Sequence, residues 1–128
     1  MALKVDHVTV LFSSMEESMP YYRTLLGAIG FTAVKPHIWT DGEGFFFQFA
    51  QAKPETRPYE RYGAGMNHIG FGAPDAETVQ RVRDTMAAAG FEVPELQHFD
   101  GATALFMKDR DGIRFEITHY PPGKAVVE

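Results

Sequence analysis

The sequence predicts an α+β fold: two βαβββ modules packed into one domain over residues 1–128. Three observations carry this expectation. The hydrophobic pattern runs through alternation, then a helical stripe, then alternation again, and does so twice. A connection rich in proline, glycine and charge separates the two runs. Residues also recur at a nearly constant interval: His7 and His68 are 61 positions apart, as are His37 and His98, and "GF" at 30 returns 60 positions later at 90. A duplicated module is the simplest account of such an interval. One repeat of this size cannot bury its sheet well, so two must share a core, side by side in one chain or exchanged between two chains.

The first element is a strand over residues 3–12, "LKVDHVTVLF", which alternates and is rich in β-branched residues. A helix follows over 15–26. Ser14 with Glu17 has the form of a capping box, Met15, Met19, Tyr22 and Leu26 share one stripe, and Gly27 can stop it. Pro20 lacks an N–H and crowds the carbonyl of Glu16, so the first turn is expected to be bent or separate. Strand-like runs come next at 31–35, 37–40 and 44–51, with "TDGEG" turning before the last. Residues 52–65 read as the linker between modules 1–51 and 66–120. The second module opens with the strand "GMNHIGFGA". Asp75 caps a helix whose Val79, Val82 and Met86 share a face, and Gly90 ends it. Runs at 91–96, 102–108 and 112–119 complete the pattern, with "KDRDG" turning between the last two.

Hydrophobic residues make up 45% of the chain and charged residues 23%, the balance of a globular protein with a sizeable core. A net charge of −5 offers no broad basic footprint, which argues against nucleic acid or an anionic membrane as partner and in favour of a small-molecule substrate. Without cysteine there is neither a disulfide nor a thiolate metal site, which suits a reducing compartment. Lys4, Asp6 and His7 interrupt the N-terminus before any apolar run of signal-peptide length, and no stretch approaches a membrane span, so cytoplasmic localisation is expected.

Alternation also assigns strand faces. Val8, Val10 and Phe12 oppose His7 and Thr9, and Phe45, Phe47 and Phe49 oppose Phe46 and Gln48. In the second module Ile69 and Phe71 oppose His68 and Gly70, while Ile113, Phe115 and Ile117 oppose Arg114, Glu116 and Thr118. The apolar faces should pack on the helices, leaving His7, Gln48, His68 and Glu116 on the concave side of a curved sheet. A single strand histidine is commonly just a solvated or satisfied residue. Four ligand-type side chains on one face, two imidazoles, a carboxylate and an amide oxygen, suit a divalent ion such as Zn, Ni, Co, Fe or Mn. They would leave two octahedral positions for adjacent substrate oxygens.

Together the runs "DHVTV", "SMPYYRTLLG", "FFFQF", "NHIGFGAPD" and "KDRDGIRFEI" resemble the vicinal oxygen chelate superfamily, which includes glyoxalase I and the bleomycin-resistance proteins. The resemblance implies a glyoxalase-like fold, a curved and partly closed mixed sheet with helices outside. It implies His7, Gln48, His68 and Glu116 as metal ligands, with Glu116 also the catalytic base. It further implies a homodimer whose site lies at a module or subunit interface. A bacterial glyoxalase I would carry glutamate where this chain has Gln48; the His, Gln, His, Glu set is more similar to methylmalonyl-CoA epimerase. One carboxylate on a divalent ion leaves a formal +1 centre, suited to an enediolate.

The expected activity is therefore that of a metal-dependent lyase or isomerase acting on a small 2-oxo or 2-oxoacyl compound. The alternatives are a metal-free binding protein of the bleomycin-resistance kind, a dioxygenase or a thiol transferase of the same superfamily. Substrate contacts are expected from Arg114, Phe46, Thr9 and Trp39. Arg114 could equally form a structural ion pair with Glu116, two residues away.

Overall fold

The computed structural model describes residues 1–124. The elements in chain order are β1 (His7–Phe12), α1 (Met15–Ala28), β2 (Thr32–Lys35), β3 (Ile38–Thr40), β4 (Phe46–Gln51), β5 (His68–Gly72), α2 (Ala76–Ala88), β6 (Gln97–Phe99), β7 (Ala102–Lys108) and β8 (Arg114–His119). The α+β fold of two βαβββ modules is thus borne out. Two open four-stranded mixed sheets result, ordered β1-β4-β3-β2 and β5-β8-β7-β6. The chain divides into two compact units, with the boundary between Pro58 and Tyr59, inside the expected linker.

In the first unit β1 runs parallel to β4, with His7 opposite Phe46 and Thr9 opposite Gln48. Val10, Phe12, Phe47 and Phe49 are buried, while His7, Thr9, Phe46 and Gln48 are exposed, so the alternation is real. The buried face packs on α1 through an aromatic cluster: the Phe12 ring lies 4.7 Å from Tyr22 and 5.1 Å from Phe49. Ser14 caps α1 by accepting the Glu17 N–H. Pro20 does not split this helix, which runs unbroken from Met15 to Ala28. Glu16 and Pro20 are both at exposed positions, where water can replace the missing N–H.

Gly27 does not stop α1 either. The helix passes through it to an Ile29 cap, and Gly30 takes the left-handed conformation, with φ of 94°. Gly30 N–H then bonds to the Gly27 carbonyl and Phe31 N–H to the Leu26 carbonyl, the paired bonds of a Schellman ending. Helix α2 ends identically, with Gly90 on Ala87 and Phe91 on Met86. The recurring "GF" is this ending, glycine supplying positive φ and phenylalanine the apolar residue that follows.

The second unit repeats the sheet. β5 runs parallel to β8, with His68 opposite Arg114 and Gly70 opposite Glu116. Val79, Val82 and Met86 of α2 are buried, as are Leu105, Met107, Phe115 and Ile117 of the sheet. Two expectations need correction here. Residues 91–96 form no strand; β6 is Gln97–Phe99. Arg83 of α2 holds that segment instead, donating from Nε to the Pro94 carbonyl at 2.8 Å and from Nη2 to Glu95 at 3.0 Å. Nor are His37 and His98 counterparts. Ile38 opposes Gln48 as Phe106 opposes Glu116, so His37, in the turn before β3, matches Leu105, whereas His98 sits in β6.

The turns before β4 and β8 share one device. Asp41 Oδ1 accepts the N–H groups of Glu43 and Phe45, and Asp109 Oδ1 those of Asp111 and Ile113. A glycine with positive φ, Gly44 or Gly112, completes each. These turns set the start of the strands that carry Gln48 and Glu116.

Candidate functional site

Each unit presents a histidine from its first strand and an amide or carboxylate from its last on the face away from its helix. The register is the same in both: His7, Thr9, Phe46 and Gln48 in one unit correspond to His68, Gly70, Arg114 and Glu116 in the other. Parallel pairing places the ligand-type residue of the last strand two residues further along than the histidine, on the same side of the sheet.

Each histidine is held by its own predecessor. His68 Nδ1 lies 2.7 Å from Asn67 Oδ1, and Asn67 Nδ2 donates to the Arg61 carbonyl at 3.0 Å. The second bond fixes which end of the amide is oxygen, so His68 donates from Nδ1, and Nε2 takes no part in this bond. Asn67 is itself anchored, because the Tyr59 hydroxyl bridges the Met66 and Asn67 carbonyls at 2.7 and 3.0 Å. In the first unit Asp6 Oδ1 accepts the His7 Nδ1–H in the same way. Outer hydrogen bonds of this kind orient metal-ligating histidines and set their tautomer. The sequence pattern showed the histidines but not this support, although Asp6 and Asn67 recur at the histidine interval and would have revealed it.

In the second unit His68, Glu116 and Arg114 line one cavity of about 330 Å³ together with Arg61, Gln97 and Phe106. Glu116 Oε2 accepts the Tyr120 hydroxyl at 3.2 Å, which leaves Oε1 uncommitted. Burial and the nearby Glu116 carboxylate raise the Tyr120 phenol above its ordinary range, so it stays a protonated donor. Gly70 leaves room beside that carboxylate: a β-carbon there would sit 3.5 Å from Glu116 Oε2. Arg114 forms no ion pair with Glu116; among the described residues its Nε is buried without a hydrogen-bond partner.

In the first unit Thr9 and Phe46 share the exposed face of His7 and Gln48. Trp39 does not. It pairs with buried Phe47, is itself 9% exposed, and donates its indole N–H to the Pro36 carbonyl at 3.2 Å. It belongs to the core side of β3, since a three-residue strand gives too little alternation to assign its face from sequence.

The donor chemistry fits a divalent ion: oriented imidazoles, an amide oxygen and a carboxylate, with no sulfur. Among the described residues no three His, Cys, Asp or Glu side chains gather within reach of one ion. Nor is any described helix long and apolar enough to cross a membrane.

Known proteins share this arrangement of elements. A crystal structure of a proposed glyoxalase from Bacillus halodurans superposes with a TM-score of 0.73 at 24% identity, covering 91% of this chain and 95% of that one. A glyoxylase/bleomycin resistance protein/dioxygenase domain from Frankia sp. EAN1pec superposes at 0.75 with 15% identity, covering 94% and 100%. The protein YqjT of Bacillus subtilis (strain 168), itself uncharacterised, is 27% identical over 125 residues, 88% of this chain and 96% of its own length. The model of one family matches residues 4–117, nearly the whole length over which the paired modules run, and the chain belongs to that family, the Glyoxalase/Bleomycin resistance protein/Dioxygenase superfamily.

Proposed function

We propose that the chain is a metal-dependent lyase or isomerase that acts on a small 2-oxo or 2-oxoacyl compound by moving a proton next to a carbonyl. Its ligands in this reading are His7, Gln48, His68 and Glu116. The observation that carries the reading is the equivalence of the two pairs: His7 with Gln48 and His68 with Glu116 occupy the same register positions. Each histidine is oriented through Nδ1, with Nε2 left open. Solvated surface histidines have no need of such matched support.

A divalent ion held there would supply Lewis-acid stabilisation of the negative charge that develops on two adjacent substrate oxygens. The protein's own part is proton transfer and exclusion of water. Glu116 can receive the α-proton on Oε1, because Tyr120 occupies Oε2. The Gly70 backbone leaves space beside the same carboxylate, on its Oε2 side. Phe106 supplies an apolar wall, while Thr9 and Phe46 line the corresponding face of the first unit.

Metal analysis of protein purified without added metal, followed by His68→Ala, tests the ligands. The wild type is expected to retain a divalent ion with submicromolar affinity and the variant to lose it; a wild type that binds none refutes the reading in favour of a metal-free binding protein. Exchange of the α-proton of 2-oxoacyl compounds in deuterated water tests the chemistry. It should require the ion and fall on the order of 100-fold or more in Glu116→Gln, the usual scale of a lost general base.

A further inference from the structure

We propose that Arg61 and Arg114 form an anion clamp in the cavity of His68 and Glu116, and that the substrate is accordingly a small carboxylate, a 2-oxo acid and not its neutral ester. The inference rests on the reading of that cavity as the substrate site and adds the substrate's charge.

Two observations meet here. Both arginines line the cavity, and in both the Nε is buried without a hydrogen-bond partner among the described residues. A buried guanidinium N–H without an acceptor is costly, and native proteins rarely leave one unless water, an ion or a ligand completes it. Among the described residues Glu116 is the only carboxylate lining the cavity, and it is bonded to Tyr120 and not to either arginine. Two cations therefore face one anion. The Arg61 guanidinium carbon also lies 4.9 Å above the ring of exposed Tyr62, within cation–π range.

In both arginines the unpaired atom is Nε. Nε and one Nη form a side edge whose two parallel N–H groups match the two oxygens of a carboxylate. Arg114 lies opposite His68 in the strand register and two residues from Glu116 on the same face. A carboxylate on its guanidinium would present the adjoining 2-oxo group toward those two side chains. Phe106 then meets the apolar remainder of the molecule, and a cavity of about 330 Å³ suits a compound of this size.

The test uses metal-free, chelator-treated full-length protein, so it reads the clamp independently of any ion. Chemical-shift titrations would compare 2-oxobutyrate and phenylpyruvate with their methyl esters and with inorganic phosphate. The free acids are expected to bind at least tenfold more tightly than the esters and more tightly than phosphate. Arg61→Gln and Arg114→Gln should each weaken the acids at least tenfold, and Arg114→Lys should restore only part of the loss. Arg23→Gln, on an exposed position of α1, should change nothing. Melting curves close to wild type establish that the variants fold. Equal binding of acid and ester, tighter binding of phosphate, no binding of any acid, or arginine variants that bind like wild type would each overturn the clamp. Failure of metal binding alone would leave these titrations intact and overturn only the catalytic reading.

Discussion

Asn67 spends both ends of its amide on positioning, one on the Arg61 carbonyl and one on His68. Asn67→Leu keeps the approximate volume but frees the imidazole to rotate and change tautomer. Metal affinity, read by competition with a chromophoric chelator, should fall about 10- to 100-fold, the range of lost outer-shell support. Asn67→Asp retains the acceptor and should stay within a few-fold of wild type. Gly70 makes the opposite case. A β-carbon at 3.5 Å from Glu116 Oε2 is ordinary contact, and alanine is favoured over glycine inside a strand by roughly 0.5–1 kcal/mol. Gly70→Ala should therefore melt slightly higher than wild type while its methyl group takes space beside the carboxylate and slows turnover. At this scale the shared face of His7 and Gln48, and of His68 and Glu116, was legible because a period of two leaves no choice of face on strands of five or six residues. The Asn67 support of His68 and the burial of Trp39 were not, since both depend on partners that are off the strand or on its neighbours.

At the scale of the element, the two turns built on aspartate are the parts on which the ligand strands hang. Asp109 is buried, and one of its oxygens holds two backbone N–H groups at 2.9 Å. Removing it in Asp109→Ala leaves those donors unsatisfied and should cost about 2–3 kcal/mol, measurable by urea unfolding. Asp41→Ala, at an exposed turn, should cost less. The cap of α2 gives a pH dependence of definite sign. The Thr78 hydroxyl, and next its N–H, hold the Asp75 carboxyl below the ordinary carboxylate range. A group whose pKa is depressed in the folded state contributes stability above its unfolded pKa and loses it as pH falls through the folded value. Melting temperature should therefore decline more steeply below about pH 4 in the wild type than in Asp75→Ala. The N-caps Ser14 and Asp75 and the two turns were readable from sequence because their chemistry is local. The strand expected at 91–96 failed because its alternation carries no information about what pairs with it, and Arg83 reaches that backbone first.

Over the whole molecule, the repeat interval records where the two modules diverge. It is 61 positions from His7 to His68 but 68 from Asp41 to Asp109 and from Gln48 to Glu116. The extra residues fall in the longer path from Phe91 to β7, which is why the shared interval of His37 and His98 misled while that of the strand histidines did not. Duplication thus accounts for the ligand pairs without ensuring that they act together, and one experiment joins them. Trp39 is the chain's single tryptophan and lies in the core of the first unit. Its fluorescence therefore reports unfolding of that unit. An ion present at 100 times its dissociation constant stabilises the folded state by about 2.7 kcal/mol, a shift on the order of 10 °C for a domain of this size. If the ion draws on both pairs, Trp39 should report that shift in the wild type and lose it in His68→Ala, a substitution in the other unit. His7→Ala should abolish it equally. A shift that survives His68→Ala but vanishes in His7→Ala would confine the ion to the first pair and refute the four-ligand reading.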